Sequence, residues 1–600
     1  MNKYISFTIT VFSAIFSFWS CNDDDFLKEK PDSAYTYASA FNTASQINDI
    51  LTEVYREWRA SFISLTNDGT YLFLCGNGTD MCDAKNPPTS DTQVLSNFPN
   101  WSTTYAPSKR AFDAFYKMIA NANLALYGAD LVNWPSESSK NLAVGQAFAL
   151  RGFAYLNLSE LFGGIFIIED FSESPKFDFQ RSSRKDSYLQ AIKDLEAAEK
   201  LLPDYVEAGR IGRGATLHYI AEAYLALATD QNNDAAYLDK SIAAADEVLK
   251  LHSLMKGRFG VRADPTNTGS YQNDPNYFPD GDVFFDMFQR GNTRRENGNT
   301  ESIWVTVSDF NIYQANTTSI NWSLPAGAYG PVYRFLLWKD EYREPGASTS
   351  PFNPSGVDEF GVLLSTTAYL GGRGQARVQP TNHTSYGVWE NCGEDVRNSP
   401  VNIRREFNVM DPLHSYYGTD FAITIDNVAE YITEETVAYF LPSFTKVLPI
   451  DNWGYEGLSE GLNVRASVFR DYYYLRAAET YLLRAEARLR KGDKAGAAAD
   501  INEVRDRANA PLVAESQVDI DYILDERIRE LFSEERRWST LLRMGGMIPS
   551  DRIFKYSYWS AERGGTYKLP INFLLPIPQN VIDSNLDAEI EQNECWKLSQ

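Results

Sequence analysis

Gly457-Leu458-Ser459-Glu460-Gly461 has the spacing of a hydrolase nucleophile elbow, where a strained strand-to-helix turn lifts a serine toward a histidine base. That chemistry needs a buried strand before the serine, and an acid and then a histidine after it. Residues 452–456 do not read as such a strand, and His218, His252, His383 and His414, the only histidines, all precede Ser459. The elbow is set aside. Four imidazoles in 600 residues leave little scope for metal or general-base work. There is no HExxH, no Gly-Lys pair to supply a phosphate-loop lysine, and no GxGxxG after a strand. Asp280, Asp282 and Asp286 cluster as calcium ligands sometimes do, but a twelve-residue hand loop ending in Glu is absent, so they read as a surface turn. No catalytic residue, metal ligand or cofactor is expected. With 80 Asp and Glu, counting alone does not exclude a glycosidase acid pair.

The richer signal is aromatic. Fourteen Phe, Tyr and Trp fall between Asp264 and Trp338, many beside Gly, Pro, Asn or Asp, where no helix or strand forces them inward. Trp101 lies in a similar setting, Phe98-Pro99-Asn100-Trp101-Ser102. Sugar rings offer apolar C–H faces that stack on flat aromatics, while their hydroxyls need polar partners. Rigid amphipathic rings suit that task and lose little entropy on binding. Asn100, Trp101, Tyr277, Trp322 and Tyr329 are the candidate glycan contacts. The alternative is that most of the fourteen pack the core of their own subdomain.

The elements that position these residues are mostly helical. Apolar stripes predict helices at about 40–59, 110–126, 142–161 and 185–201, the third stopping at Gly163-Gly164. Two segments read as antiparallel helix pairs of tetratricopeptide type: 212–228 with 236–251, and 472–490 with 495–508. Alanines on the facing sides allow close approach. A last helix is expected at 520–542. Between 256 and 465, Gly, Pro, Asn and Asp punctuate short stretches, and only 301–307 alternates well enough for a strand. The expected fold is mainly α, a tetratricopeptide-like helical repeat scaffold with a large loop-rich insertion. The boundaries are a signal peptide 1–20, a tether 21–39, an N-terminal helical part 40–255, the insertion 256–465 and a C-terminal helical part 466–600, in one integrated unit.

Composition limits the partners. Lys and Arg total 56 against 80 acids, a net charge of −24, so no basic face offers itself to nucleic acid. Residues 1–20 carry Lys3 and then an apolar run, as an export signal does, and end at Ser20-Cys21. That junction resembles a bacterial lipoprotein processing site, which makes Cys21 the lipidated first residue of the mature chain, followed by the acidic Asn22–Asp25. Five cysteines do not make a disulfide scaffold. Cys75 and Cys82 flank a Gly-Asn-Gly turn and either pair or remain buried thiols.

Several stretches, in order along nearly the whole chain, resemble the SusD/RagB nutrient-binding outer-membrane lipoproteins of Bacteroidetes. These are Cys21–Leu27 with Lys30-Pro31, Arg151–Tyr155 through Leu161–Gly164, Arg213–Ala215 through Ala223–Leu225, Tyr474–Glu479 through Arg484–Ala487, Glu526–Leu531 through Arg537-Trp538, and Leu575–Pro578. The resemblance implies four tetratricopeptide-like units and a lipid anchor in the outer membrane facing the cell surface. It also implies non-catalytic capture of oligosaccharide beside a TonB-dependent transporter. In the family, ligand-holding aromatics come from loops after the early helices and within the insertion, so Asn100, Trp101 and Trp322 correspond by region only. Two other readings stand beside it: a surface glycoside hydrolase, and a structural lipoprotein whose repeats bind only protein.

Overall fold

A computed structural model describes residues 41–63, 76–84, 101–104, 106–172, 174–260, 281–289, 291–307, 329, 336–352, 378–409, 411–447, 471–557 and 568–597. Its frame is helical. The N-terminal half is built from α1 (Ala44–Ile63), α2 (Ala106–Ala129), α3 (Glu137–Phe162), α4 (Arg184–Glu199), α5 (Arg213–Asp230) and α6 (Ala235–Leu251). Each packs on the next, and α1 lies against α3 as well as α2. Local chemistry fixes the ends. Ser136 caps α3 in a reciprocal capping box with Ser139, and Gly163, at φ 81°, ends it. Gly164 is tight for a different reason: a Cβ there would lie 2.1 Å from the Ser182 carbonyl oxygen. Asp234 accepts from two amides at the start of α6.

The C-terminal half contains α7 (Ala477–Lys491), α8 (Lys494–Arg507), α9 (Ile520–Leu531), α10 (Arg537–Met544) and α11 (Ile548–Tyr556). Gly492 in the left-handed region and the Asp493 cap turn α7 into α8. Helix α7 also packs on α6, and α10 on α3, joining the halves. One apolar core runs from Val54 to Ile590, with Trp58 and Trp304 stacked 4.2 Å apart near its centre. The mainly α, tetratricopeptide-like expectation holds.

Two expected helices are different. Residues 472–476 form a strand that pairs with Ser302–Thr306, leaving the helix to begin at Ala477. Three consecutive tyrosines favour strand, and Arg476 at the strand's end reaches Glu301 at 2.7 Å. The expected helix 520–542 is two, broken at residues 532–536, with Ser533 at φ 66°. The break turns Glu534, Glu535 and Arg536 inward, where they meet Arg476, Arg527 and Glu222.

Between α6 and the strand at Tyr472, the described residues form only short pieces. Among the described residues there are four two-stranded antiparallel ladders: β1 (Cys82–Ala84) with β3 (Val378–Pro380), β2 (Ser302–Thr306) with β8 (Tyr472–Arg476), β4 (Ile403–Arg404) with β7 (Ser443–Phe444), and β5 (Phe407–Asn408) with β6 (Ala422–Ile423). A separate small core of Leu336, Trp338, Phe407, Ile423, Ile432 and Phe440 underlies part of this region. Cys82 is buried; Cys75 lies outside the described residues.

Candidate functional site

Asp282 caps the five-residue helix Val283–Met287 and accepts from the Asn402 side chain at 2.8 Å, while Asp286 is fully buried against Arg258. These two acids of the candidate calcium cluster are structural; Asp280 lies outside the described residues, as does the 457–461 elbow. Among the described residues no group of three His, Cys, Asp or Glu is placed to hold a metal. Carboxyls with raised pKa do exist. Burial first, and then the neighbouring Glu222, push Glu160 up, and burial lifts Glu479 to about 7. Both are buried and face arginines, Glu160 near Arg536 and Glu479 on Arg527 at 3.0 Å.

Trp101 is 6% exposed and packs on Trp538 at 5.6 Å and Phe573 at 6.3 Å; Tyr329 is 4% exposed against Phe532. Both rings are core elements, which the expectation of wet aromatic faces did not foresee. The same holds for Phe284, Phe285, Phe288, Trp304 and Trp338, the other described aromatics of the rich stretch. Their neighbours in sequence are polar, but the core closes over them from distant segments. Asn100, Tyr277, Trp322 and Cys21 lie outside the described residues.

A different ring surface lies farther along the insertion, on the small core. Its foundation is Trp338, fully buried, with the His414 imidazole stacked on it at 4.6 Å and 10°. His414 Nε2 donates to the Tyr342 carbonyl at 3.0 Å, and Nδ1 accepts from the Tyr416 amide at 3.3 Å. One imidazole thereby fixes two segments seventy residues apart. From it the rings continue outward. Tyr416 stacks on Phe421 at 4.0 Å, Phe421 meets Tyr431 at 5.0 Å, and Tyr431 meets Tyr342 at 4.6 Å. These four are half-buried, and Tyr417 beside them is 41% exposed.

The backbone under the rings is tied at several points. The Lys339 amide donates to the Tyr431 carbonyl at 2.9 Å, the Ser415 amide to Glu344 at 2.9 Å, and the Ser348 amide to Asp411 at 2.5 Å. Glu430 sits beside two phenols. Partial loss of water first, and then its negative charge, raise the pKa of Tyr342 and Tyr431, so both keep their hydroxyl protons at neutral pH. The surface therefore offers apolar faces edged by hydroxyls and carboxylates, the combination that a sugar's C–H face and hydroxyl rim require. No single motif marks it in the sequence. The available signal was Tyr342, Tyr416, Tyr417, Phe421 and Tyr431 beside Gly, Asp and Glu, beyond the window where the aromatics are densest.

A second concavity, about 310 Å3, lies between α2 and the C-terminal segment, walled by Phe112, Tyr116, Phe166, Phe177 and Phe179. The same C-terminal segment is tied to the Trp101 loop, where the Gln579 amide donates to the Thr103 carbonyl at 3.0 Å.

Two family models match the chain. Residues 399–596 match the SusD family, and residues 25–225 match a family described as starch-binding, associating with the outer membrane. The starch-binding protein SusD of Bacteroides thetaiotaomicron is 34% identical over 160 residues, 26% of this chain and 27% of that protein. SusD-like protein P2 of Formosa agariphila is 27% identical over 236 residues, 38% of this chain and 43% of that one. The matched stretches thus span less than half the length of these curated relatives. Among solved structures, a SusD homolog from Bacteroides thetaiotaomicron superposes with a TM-score of 0.62 at 18% identity, covering 93% of this chain and 98% of the other. A laminarin-binding SusD-like protein gives 0.60 at 20% identity, covering 92% and 100%. At these identities the structural likeness speaks for the fold alone.

Proposed function

The chain belongs to the SusD/RagB family, and from that premise we propose that it is a cell-surface receptor that captures oligosaccharide and passes it, uncleaved, to a TonB-dependent outer-membrane transporter. The observation that carries the reading is the connected run of half-exposed rings Tyr416, Phe421, Tyr431 and Tyr342, held by His414 over a buried Trp338. A rigid ring surface binds a flat apolar sugar face without first paying to order itself. The names of two similar proteins, one starch-binding and one laminarin-binding, support the same ligand class.

In this reading Cys21 carries the acyl chains that hold the protein to the outer membrane, two or more chains being needed for firm anchoring. Asn100, Tyr277 and Trp322 are further glycan contacts, while Trp101 and Tyr329 act through packing. Binding by stacking and hydroxyl hydrogen bonds changes little with salt.

The test is retention of the purified mature chain, with Cys21 replaced, on immobilised polysaccharides, together with an assay for new reducing ends. Retention without released sugar supports the receptor. New reducing ends support a hydrolase instead, and no retention on any glycan leaves a protein-binding scaffold.

A further inference from the structure

The ring surface has an edge with a strong excess of acids. Residues 411–440 contain Asp411, Asp420, Asp426, Glu430, Glu434 and Glu435 and no Lys or Arg. Asp411 is buried on backbone amides, but the other five are exposed. The facing segment 336–352 adds Asp340, Glu341 and Glu344. Its two cations are engaged: Lys339 donates to the Ala429 carbonyl at 2.8 Å, and Arg343 lies 3.5 Å from Asp340. Three of the exposed acids immediately precede ring residues in the chain: Glu341 before Tyr342, Asp420 before Phe421, and Glu430 before Tyr431.

Ionised carboxylates have two consequences for a ligand laid across these rings. They only accept hydrogen bonds, so they pair with the hydroxyl donors of a sugar and find no donor on a carboxylate or sulfate substituent. They also repel such substituents across a distance comparable with the screening length at physiological salt. We propose that this ring surface selects uncharged glycans and turns away polysaccharides rich in uronate or sulfate. The selection rests on the reading of the surface as a glycan site. The acids supply specificity, and the rings supply adhesion.

The test uses the mature chain and the triple variant Asp340→Lys, Glu341→Lys, Asp420→Lys, each measured against neutral glucans (soluble starch and laminarin) and anionic polymers (alginate and carrageenan) at low and physiological salt. The wild-type chain is expected to bind at least one neutral glucan at least tenfold more tightly than either anionic polymer. The triple variant is expected to gain at least tenfold in binding to the anionic polymers, weakening as salt rises, while its neutral-glucan affinity falls with the loss of three hydroxyl acceptors. Binding of alginate or carrageenan by wild type as tightly as the neutral glucans overturns the selectivity while leaving the receptor reading intact. No gain of anionic binding by a folded triple variant also overturns it. Failure of wild type to bind any of the four while it binds no other glycan overturns the receptor reading, and the selectivity with it.

Discussion

Glu530 is the place to strike the frame. It is fully buried on α9, and its two oxygens serve three guanidiniums: Oε1 accepts from Arg476 and Arg507, and Oε2 from Arg397 at 2.8 Å. Burial alone would raise its pKa, but Arg507, Arg476 and Arg397 overcome burial and hold it well below the usual carboxylate range. Glu530→Gln preserves the shape, removes the charge, and sets an amide donor against guanidinium donors. Three charge-assisted hydrogen bonds at about 1.5–3 kcal/mol each bound the loss from above. The arginines keep other partners, Glu301 and Glu534 for Arg476, Glu301 for Arg507, Asp395 and Glu526 for Arg397, which recover part of it. The net loss is therefore expected at about 3–5 kcal/mol, as for breaking a buried ion pair from one side. Thermal melting followed by circular dichroism should show a clearly lower midpoint, whereas Lys250→Ala, which breaks an exposed pair with Glu247, should leave it unchanged. Adding Arg507→Met to Glu530→Gln should cost less than the two single changes summed, because the first change has already removed one of the two carboxylates that Arg507 meets. A Glu530→Gln midpoint equal to that of Lys250→Ala would show that this network does not hold the C-terminal helices to the insertion.

Acid should act on this network and on the separate cluster of Glu486 with Arg490 and Arg543. Arginines outweigh burial to depress Glu526 and Glu486 to about 2, and Glu530 is depressed as well. Folded values below the unfolded one mean that the stabilisation is complete above about pH 4.3 and drains away as pH falls toward the folded values; a melting midpoint that stays level from pH 5 to about pH 2.5 would contradict this. Trp101→Ala removes an indole enclosed by Trp538 and Phe573 and is expected to cost about 3–5 kcal/mol of stability. An unchanged melt with lost glycan retention would instead make Trp101 a ligand contact.

What the sequence made legible is what neighbouring residues decide. Helices α1 to α6 and α8 fall within a few residues of their apolar stripes, because caps such as Ser136 and Asp234 and the stop at Gly163 act locally. The strand at Tyr472 and the break at Ser533 were hidden, because both serve ion pairs with partners far away in the chain, Glu301 for Arg476 and Glu222 for Arg536. The ring surface was hidden for a similar reason. Composition finds aromatics but not which side of them meets water. Trp304 and Trp338 look as wet in sequence as Tyr417 does, yet both are enclosed by segments far from them. Tyr342 and Tyr431 touch because His414, the Lys339 amide and the Thr433 amide on the Leu337 carbonyl fasten distant segments together.

Calorimetric titration of a retained neutral glycan into the mature chain and into Tyr342→Ala, Tyr431→Ala and their double variant bears most directly on the receptor assignment. Loss of the two adjoining rings is expected to weaken binding about thirtyfold or more in the double variant, about 1–2 kcal/mol for each ring, with the melting midpoint of the helical frame unchanged. Wild-type affinity in a folded double variant would mean that the sugar rests elsewhere and that these rings serve only to close their own small core.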